Sequence, residues 1–94
     1  MRRAKKIDAN QPGIVKALRA ISGVTVALDH DDIIVGYNGS TYWFELKTPD
    51  CVGKDGKIRE SDKKDTQKKL ESEWRGHYRI VWSIDQILSD IGIK

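Results

Sequence analysis

The spacing of apolar and polar positions changes several times along this chain, and each change marks an element. Ile14, Val15, Leu18 and Ile21 recur at helical spacing on one stripe, and Gly23 ends the run. Asp8 is placed to cap that helix, with Gln11 able to close a capping box. Pro12 suits its first turn, where the missing N–H has no helical partner to lose. Residues 24–28 read as a short strand, and Asp29-His30-Asp31 leads from it into a hairpin.

That hairpin carries the strongest local signal. Asn38-Gly39 separates Asp31-Asp32-Ile-Ile-Val-Gly-Tyr37 from Ser40-Thr-Tyr-Trp-Phe-Glu45-Leu-Lys47, and both turn residues tolerate the positive φ that a two-residue hairpin turn requires. Tyr37 then pairs with Ser40, and every further pair of residue numbers sums to 77, so Asp32 stands opposite Glu45. Their Cβ atoms are expected about 5 Å apart. Side chains alternate between faces, so Lys47 shares the face of Glu45, whereas Asp31 pairs with Leu46 and points to the other side. His30 falls opposite Lys47 if the strand extends that far. Tyr42, Trp43, Phe44 and Leu46 are nearly continuously apolar, which predicts a central strand covered on both faces.

Residues 48–61 contain Pro49, Gly53 and Gly56 with little periodicity and read as an exposed loop. A charged helix follows over about 62–73, with Leu70 and Trp74 as anchors to the core and Gly76 as its breaker. Residues 78–82 form the last strand. Ser83 and Gln86 make a second capping box, opening a helix whose Ile84, Ile87, Leu88 and Ile91 face the sheet. The order is α-β-β-β-α-β-α, an α/β fold with a mixed sheet flanked by helices. The helical crossover suits a parallel pairing, or a near approach, of the last two strands.

Length and charge narrow the picture further. Ninety-four residues make one domain with a single core, spanning 1–94, with a basic arm at 1–6 and an exposed loop at 50–61. No apolar run approaches the roughly 18–20 residues that cross a bilayer. The basic start lacks an apolar signal region, so the expected location is cytoplasmic, with no membrane partner. Cys51 stands alone, without a disulfide partner or neighbours at zinc-ligand spacing, and reads as a spectator. Residues 1–19 hold six basic side chains against Asp8, and residues 54–75 hold eight against six acids. Residues 24–50 have Lys47 as their one lysine or arginine against five acids. An acidic centre between basic segments suits a metal site that receives a polyanion; the plainer alternative is solvated surface charge.

The trio Asp32, Glu45 and Lys47 has two readings of its own. In one, Asp32 ends a strand and Glu45–Lys47 is a same-face salt bridge. In the other, the two carboxylates share a divalent cation. The second is favoured because charge interrupts a strongly apolar central strand, and facing carboxylates repel unless a cation or proton lies between them.

These residues resemble the PD-(D/E)xK nuclease motif: Asp32, a hydrophobic strand, then Glu45-Leu46-Lys47, with Asp31 where a proline often stands. The stretches 8–19 and 32–37, together with Gln67 and Trp74-Arg75-Gly76, are similar to the small stand-alone VRR-NUC proteins of bacteriophages and prophages. The resemblance covers nearly the whole chain. It implies a restriction-endonuclease-like core and a homodimeric, Holliday-junction-resolvase-like endonuclease that hydrolyses DNA phosphodiesters, in particular those of branched DNA. It also implies that Asp32, Glu45 and the Leu46 backbone carbonyl hold Mg²⁺ or Mn²⁺. Lys47 would orient the attacking water, and Gln67 would support the site from the charged helix. No small-molecule cofactor is implied.

One position departs from the pattern. Gly13 stands where family members commonly carry a glutamate in the first helix. Activity would then be weakened, shifted toward Mn²⁺ or lost, and Asn10 or Gln11 is left as a substitute holder of a water. The alternative function is therefore a catalytically weakened or silent, structure-selective DNA-binding module. Arg2, Arg3, Lys5 and Lys6, with Lys63, Lys64, Lys68 and Lys69, are candidate phosphate contacts, against a solvated helix face as the plainer reading. Trp43, Trp74 and Trp82 read as packing residues, and His77 as a surface residue beside Gly76. The first helix and the 50–61 loop are candidates for the dimer interface.

Overall fold

A computed structural model describes residues 10–29 and 32–93. Its regular elements are α1 (Gln11–Arg19), β1 (Val24–Asp29), β2 (Asp32–Tyr37), β3 (Ser40–Leu46), α2 (Asp65–Glu73), β4 (Arg79–Val81) and α3 (Ile84–Ile91). The chain is a small α/β protein with a four-stranded mixed sheet, in the order β1-β2-β3-β4, and three helices.

The Asn38-Gly39 turn sets the register. Both residues take positive φ, 53° and 83°, which matches the right-handed twist of the flanking strands. Tyr37 pairs with Ser40, and the ladder runs without a bulge to Asp32 opposite Glu45. β1 and β2 form a second antiparallel pair that ends at Asp29 opposite Asp32. β4 returns through α2 to lie parallel to β3, with Glu45 level with Ile80.

Strand alternation then divides the sheet into two faces. Ile33, Val35, Phe44, Leu46 and Val81 form the core face, packed by Ile14, Val15 and Leu18 of α1 and by Ile87 and Ile91 of α3. α3 is held at its start by the expected capping box. The Ser83 hydroxyl accepts the Gln86 amide at 3.4 Å, and the Gln86 side-chain oxygen accepts the Ser83 amide at 3.1 Å. The opposite face carries Asp32 and Glu45, and α2 lies over it.

Several expectations are corrected. The residue at the N-cap of α1 is Asn10, and its side chain does not cap the helix. It donates instead to the carbonyls of Lys47 and Trp82, each at 3.1 Å, tying α1 to the ends of β3 and β4. Asp8 lies outside the described residues. The 50–61 segment is more ordered than a loop, with 3-10 turns at Pro49–Cys51 and Glu60–Asp62, a Val52–Ile58 bridge and a buried Ile58. The second of these turns occupies the expected start of the charged helix, so α2 begins only at Asp65. Trp74 is no core anchor, being 51% exposed.

His77 is not a free surface residue either. Its Nδ1 accepts the Trp43 backbone N–H at 3.1 Å and its Nε2 lies 2.9 Å from Asp90. The ring packs edge-on against Tyr42 and Phe44. Among the described residues, no helix is long and apolar enough to cross a membrane.

Candidate active site

The register that pairs β2 with β3 places Asp32 and Glu45 directly opposite each other on the α2-covered face. Glu45 is buried at 4% exposure, although its strand neighbours Phe44 and Leu46 point into the apolar core. Lys47 follows on the same face, and its ammonium lies 3.9 Å from the Glu45 carboxylate. That distance is long for a hydrogen bond but close enough to offset charge on a buried carboxylate.

A cleft of about 410 Å³ opens over the pair. Its sheet wall is Asp29, Asp32, Glu45 and Tyr78. Lys64, Thr66, Gln67 and Leu70, from the start and body of α2, close the other side. Gln67 is therefore brought to the carboxylates, and it is buried. Its oxygen is committed locally, accepting the Lys64 backbone N–H at 3.0 Å, so Nε2 is the atom left to donate.

Three contributors to this site were missed from the sequence. The Trp43 indole N–H donates to Asp32 Oδ2 at 2.8 Å. Trp43 stands opposite Ile34, diagonal to Asp32 on the same face, so the register itself contained the signal. Asp29 reaches the cleft because β1 ends level with Asp32, a pairing that required knowing that β1 continues past Leu28. Tyr78 comes from the residue just before β4, and only the parallel crossover brings it here.

The Tyr78 hydroxyl is buried and has no hydrogen-bond partner among the described residues. Burial, followed by the charges of Glu45, Asp32 and Glu71, pushes its pKa well above the ordinary tyrosine value. Tyr78 is thus a neutral O–H donor held beside two carboxylates.

The basic residues separate into distinct roles. Arg2, Arg3, Lys5 and Lys6 lie outside the described residues, as do His30 and Asp31. Lys63 is engaged internally, at 3.0 Å from Glu60 and 2.9 Å from Glu71. Desolvation works against its charge, but the hydrogen bonds to Glu71 and Glu60 outweigh that and raise its pKa. It is poorly placed to meet a phosphate. Lys64, Lys68 and Lys69 are exposed, and Lys64 lines the cleft.

No residue of α1 lines this cleft. Gly13 is exposed, and a Cβ built on it meets nothing within 4 Å. The Asn10 and Gln11 side-chain oxygens are buried without hydrogen-bond partners among the described residues, away from the carboxylate cleft. Among the described residues, no three His, Cys, Asp or Glu side chains form a group that could hold a metal ion. The carboxylates that line the cleft are Asp29, Asp32 and Glu45.

The chain matches no protein-family model, no curated protein and no solved structure.

Proposed function

We propose that the protein is a metal-dependent DNA endonuclease of the PD-(D/E)xK type, with a restriction-endonuclease-like arrangement of its α/β core, acting on branched DNA as a homodimer. The observation that carries this reading is the pairing of Asp32 with a buried Glu45, with Lys47 at 3.9 Å on the same face.

The donor set fits a hard divalent cation. Two carboxylates from adjacent strands present oxygen ligands toward one cleft, and Mg²⁺ is commonly held by one or two carboxylates with water and phosphate oxygens supplying the rest. A third, the Leu46 carbonyl, is the ligand the family resemblance adds. Mg²⁺ or Mn²⁺ bound there supplies Lewis acidity toward the phosphate and a more acidic water.

The chain's own residues then divide the remaining work. Lys47, whose ammonium is 3.9 Å from Glu45, takes the role of orienting the attacking water and favouring loss of its proton. Trp43 fixes the Asp32 carboxylate through Oδ2. Tyr78, kept protonated by its surroundings, donates toward a phosphoryl oxygen entering the cleft, as does Gln67 Nε2. Lys64 at the cleft neutralises part of the phosphate charge. A homodimer related by a two-fold axis carries two such sites, one for each strand of a four-way junction.

The test uses labelled four-way, flap, duplex and single-stranded DNA with Mg²⁺, Mn²⁺ or EDTA. Metal-dependent cleavage that Asp32→Ala and Lys47→Ala both abolish is the expected result. Binding without cleavage in either metal sinks the catalytic reading in favour of a silent DNA-binding module. Sedimentation of the same preparation reads the dimer.

A further inference from the structure

We propose that the exposed indole of Trp74 is a stacking platform for an unpaired nucleobase beside the scissile phosphate, so that the substrate is DNA with single-stranded nucleotides at or next to the cut. This rests on the nuclease reading for the position of the cut, but the stacking itself is a binding property that can be measured apart from cleavage.

Trp74 is 51% exposed, although a tryptophan can usually bury most of its large apolar surface in a folded domain. Its orientation is nonetheless supported from two sides. The indole meets Trp43 edge-to-face, with ring centroids 5.3 Å apart and planes at 87°. On another side lies Gly76, where an added Cβ would come within 2.9 Å of the Trp74 Nε1. The absence of a side chain at Gly76 is what gives the ring its place. An exposed ring held in one orientation offers a partner a surface at small cost in side-chain entropy.

The location supplies the partner. Trp74 walls a groove of about 440 Å³ together with Thr66, Lys69, Leu70 and Glu73. Thr66 and Leu70 also line the carboxylate cleft, so the two depressions share a wall on α2. A strand whose phosphate lies at Asp32 and Glu45 therefore has its neighbouring nucleotide at Trp74. Lys69 is exposed in this groove and meets the backbone charge, while Glu73 keeps phosphate away from the ring end and leaves that end to the base. Aromatic rings interleaved with cations are the usual means of holding single strands without reading their sequence. Within a duplex both faces of a base are covered by its neighbours, so the platform selects unpaired positions.

Fluorescence anisotropy in EDTA tests this with a labelled oligothymidylate, the matching oligouridylate, a blunt duplex and the same duplex with a single-stranded flap. The intact protein is expected to bind the thymidylate and the flap more tightly than the blunt duplex. Trp74→Ala should weaken thymidylate and flap binding roughly 5- to 150-fold, the range seen when a stacking aromatic is removed. Blunt-duplex binding should change less than about twofold. Trp74→Phe should recover part of the loss, and Gly76→Ala, which displaces the ring without removing it, should fall between. Circular dichroism and a thermal melt check that each variant is folded.

Unchanged thymidylate binding by folded Trp74→Ala overturns the proposal, as does tighter binding of uridylate than of thymidylate. So does a Trp74→Ala protein that turns from dimer to monomer in sedimentation, since the ring then belongs to a subunit interface. A loss of single-strand binding in a protein that never cuts DNA upholds the platform while refuting the nuclease.

Discussion

The Trp43 indole N–H donates to Asp32 Oδ2 at 2.8 Å, diagonally across the β2–β3 ladder. A carboxylate at the start of a strand can rotate about two bonds, and this contact selects one orientation. Trp43→Phe keeps the ring and removes the donor. Metal-dependent cleavage is expected to fall roughly 10- to 100-fold, the usual effect of losing a group that orients a metal-binding carboxylate. Loss of about 1 kcal/mol of stability would lower the melting temperature of a domain this size by roughly 4–8 °C. Steady-state cleavage and a thermal melt read the two effects separately. Full activity in a folded variant would show that Asp32 is oriented by something else.

Tyr78 gives a prediction about pH. Its hydroxyl is buried without a partner, and burial, Glu45, Asp32 and Glu71 all oppose its ionisation. Above the ordinary tyrosine pKa of 10.0, the unfolded chain loses this proton while the folded one keeps it, so stability falls as pH rises beyond that point. Tyr78→Phe removes the term. Denaturant titrations should place the variant level with or slightly above the parent at pH 7, and its relative advantage should grow between pH 10 and 11. A constant difference across that range would contradict the burial argument.

His77 stitches three elements. Because its Nδ1 accepts the Trp43 amide, the ring carries its proton on Nε2, directed to Asp90 of α3. Nitrogen-15 shifts of the imidazole should report that tautomer. Replacing the ring by alanine leaves the Trp43 amide without its acceptor and opens space beside the Tyr42 and Phe44 rings. The expected cost is about 2–3 kcal/mol in a urea titration. A change below about 0.5 kcal/mol would mean the contact is replaceable by water.

The two lysines that lead into α2 should not behave alike toward DNA. Lys64 lines the cleft, whereas Lys63 is already held by Glu60 and Glu71. Lys64→Ala should weaken binding and reduce the slope of log affinity against log salt by about one. Lys63→Ala should leave that slope unchanged and show its effect in stability. The salt series distinguishes a phosphate contact from an internal ion pair directly.

The parts of this structure that could be read from the sequence are those set by neighbours along the chain. The Asn38-Gly39 turn determined which residue faces which, down to Asp32 opposite Glu45. Ser83 and Gln86 marked the start of α3 correctly. Residues whose surroundings come from distant segments were misread. Trp74 reads as a core anchor at the end of the charged helix, and nothing local reveals that Gly76 makes room for it at the surface. His77 reads as a surface residue beside its glycine neighbour, yet it bonds to Trp43 and Asp90. Tyr78 could be read as part of a strand, but its place beside the carboxylates depends on a parallel crossover that passes through α2.

The same distinction orders events in time. Asp32 meets Glu45 by closing a hairpin around Asn38-Gly39, a step of microseconds for isolated hairpins. The segments that cover them, α2 and β4, must first close a much longer loop, which is slower. Closing this hairpin brings two carboxylates opposite each other, where like charges repel. Asp32→Asn, which removes one of the two charges, is expected to raise the refolding rate in a stopped-flow experiment.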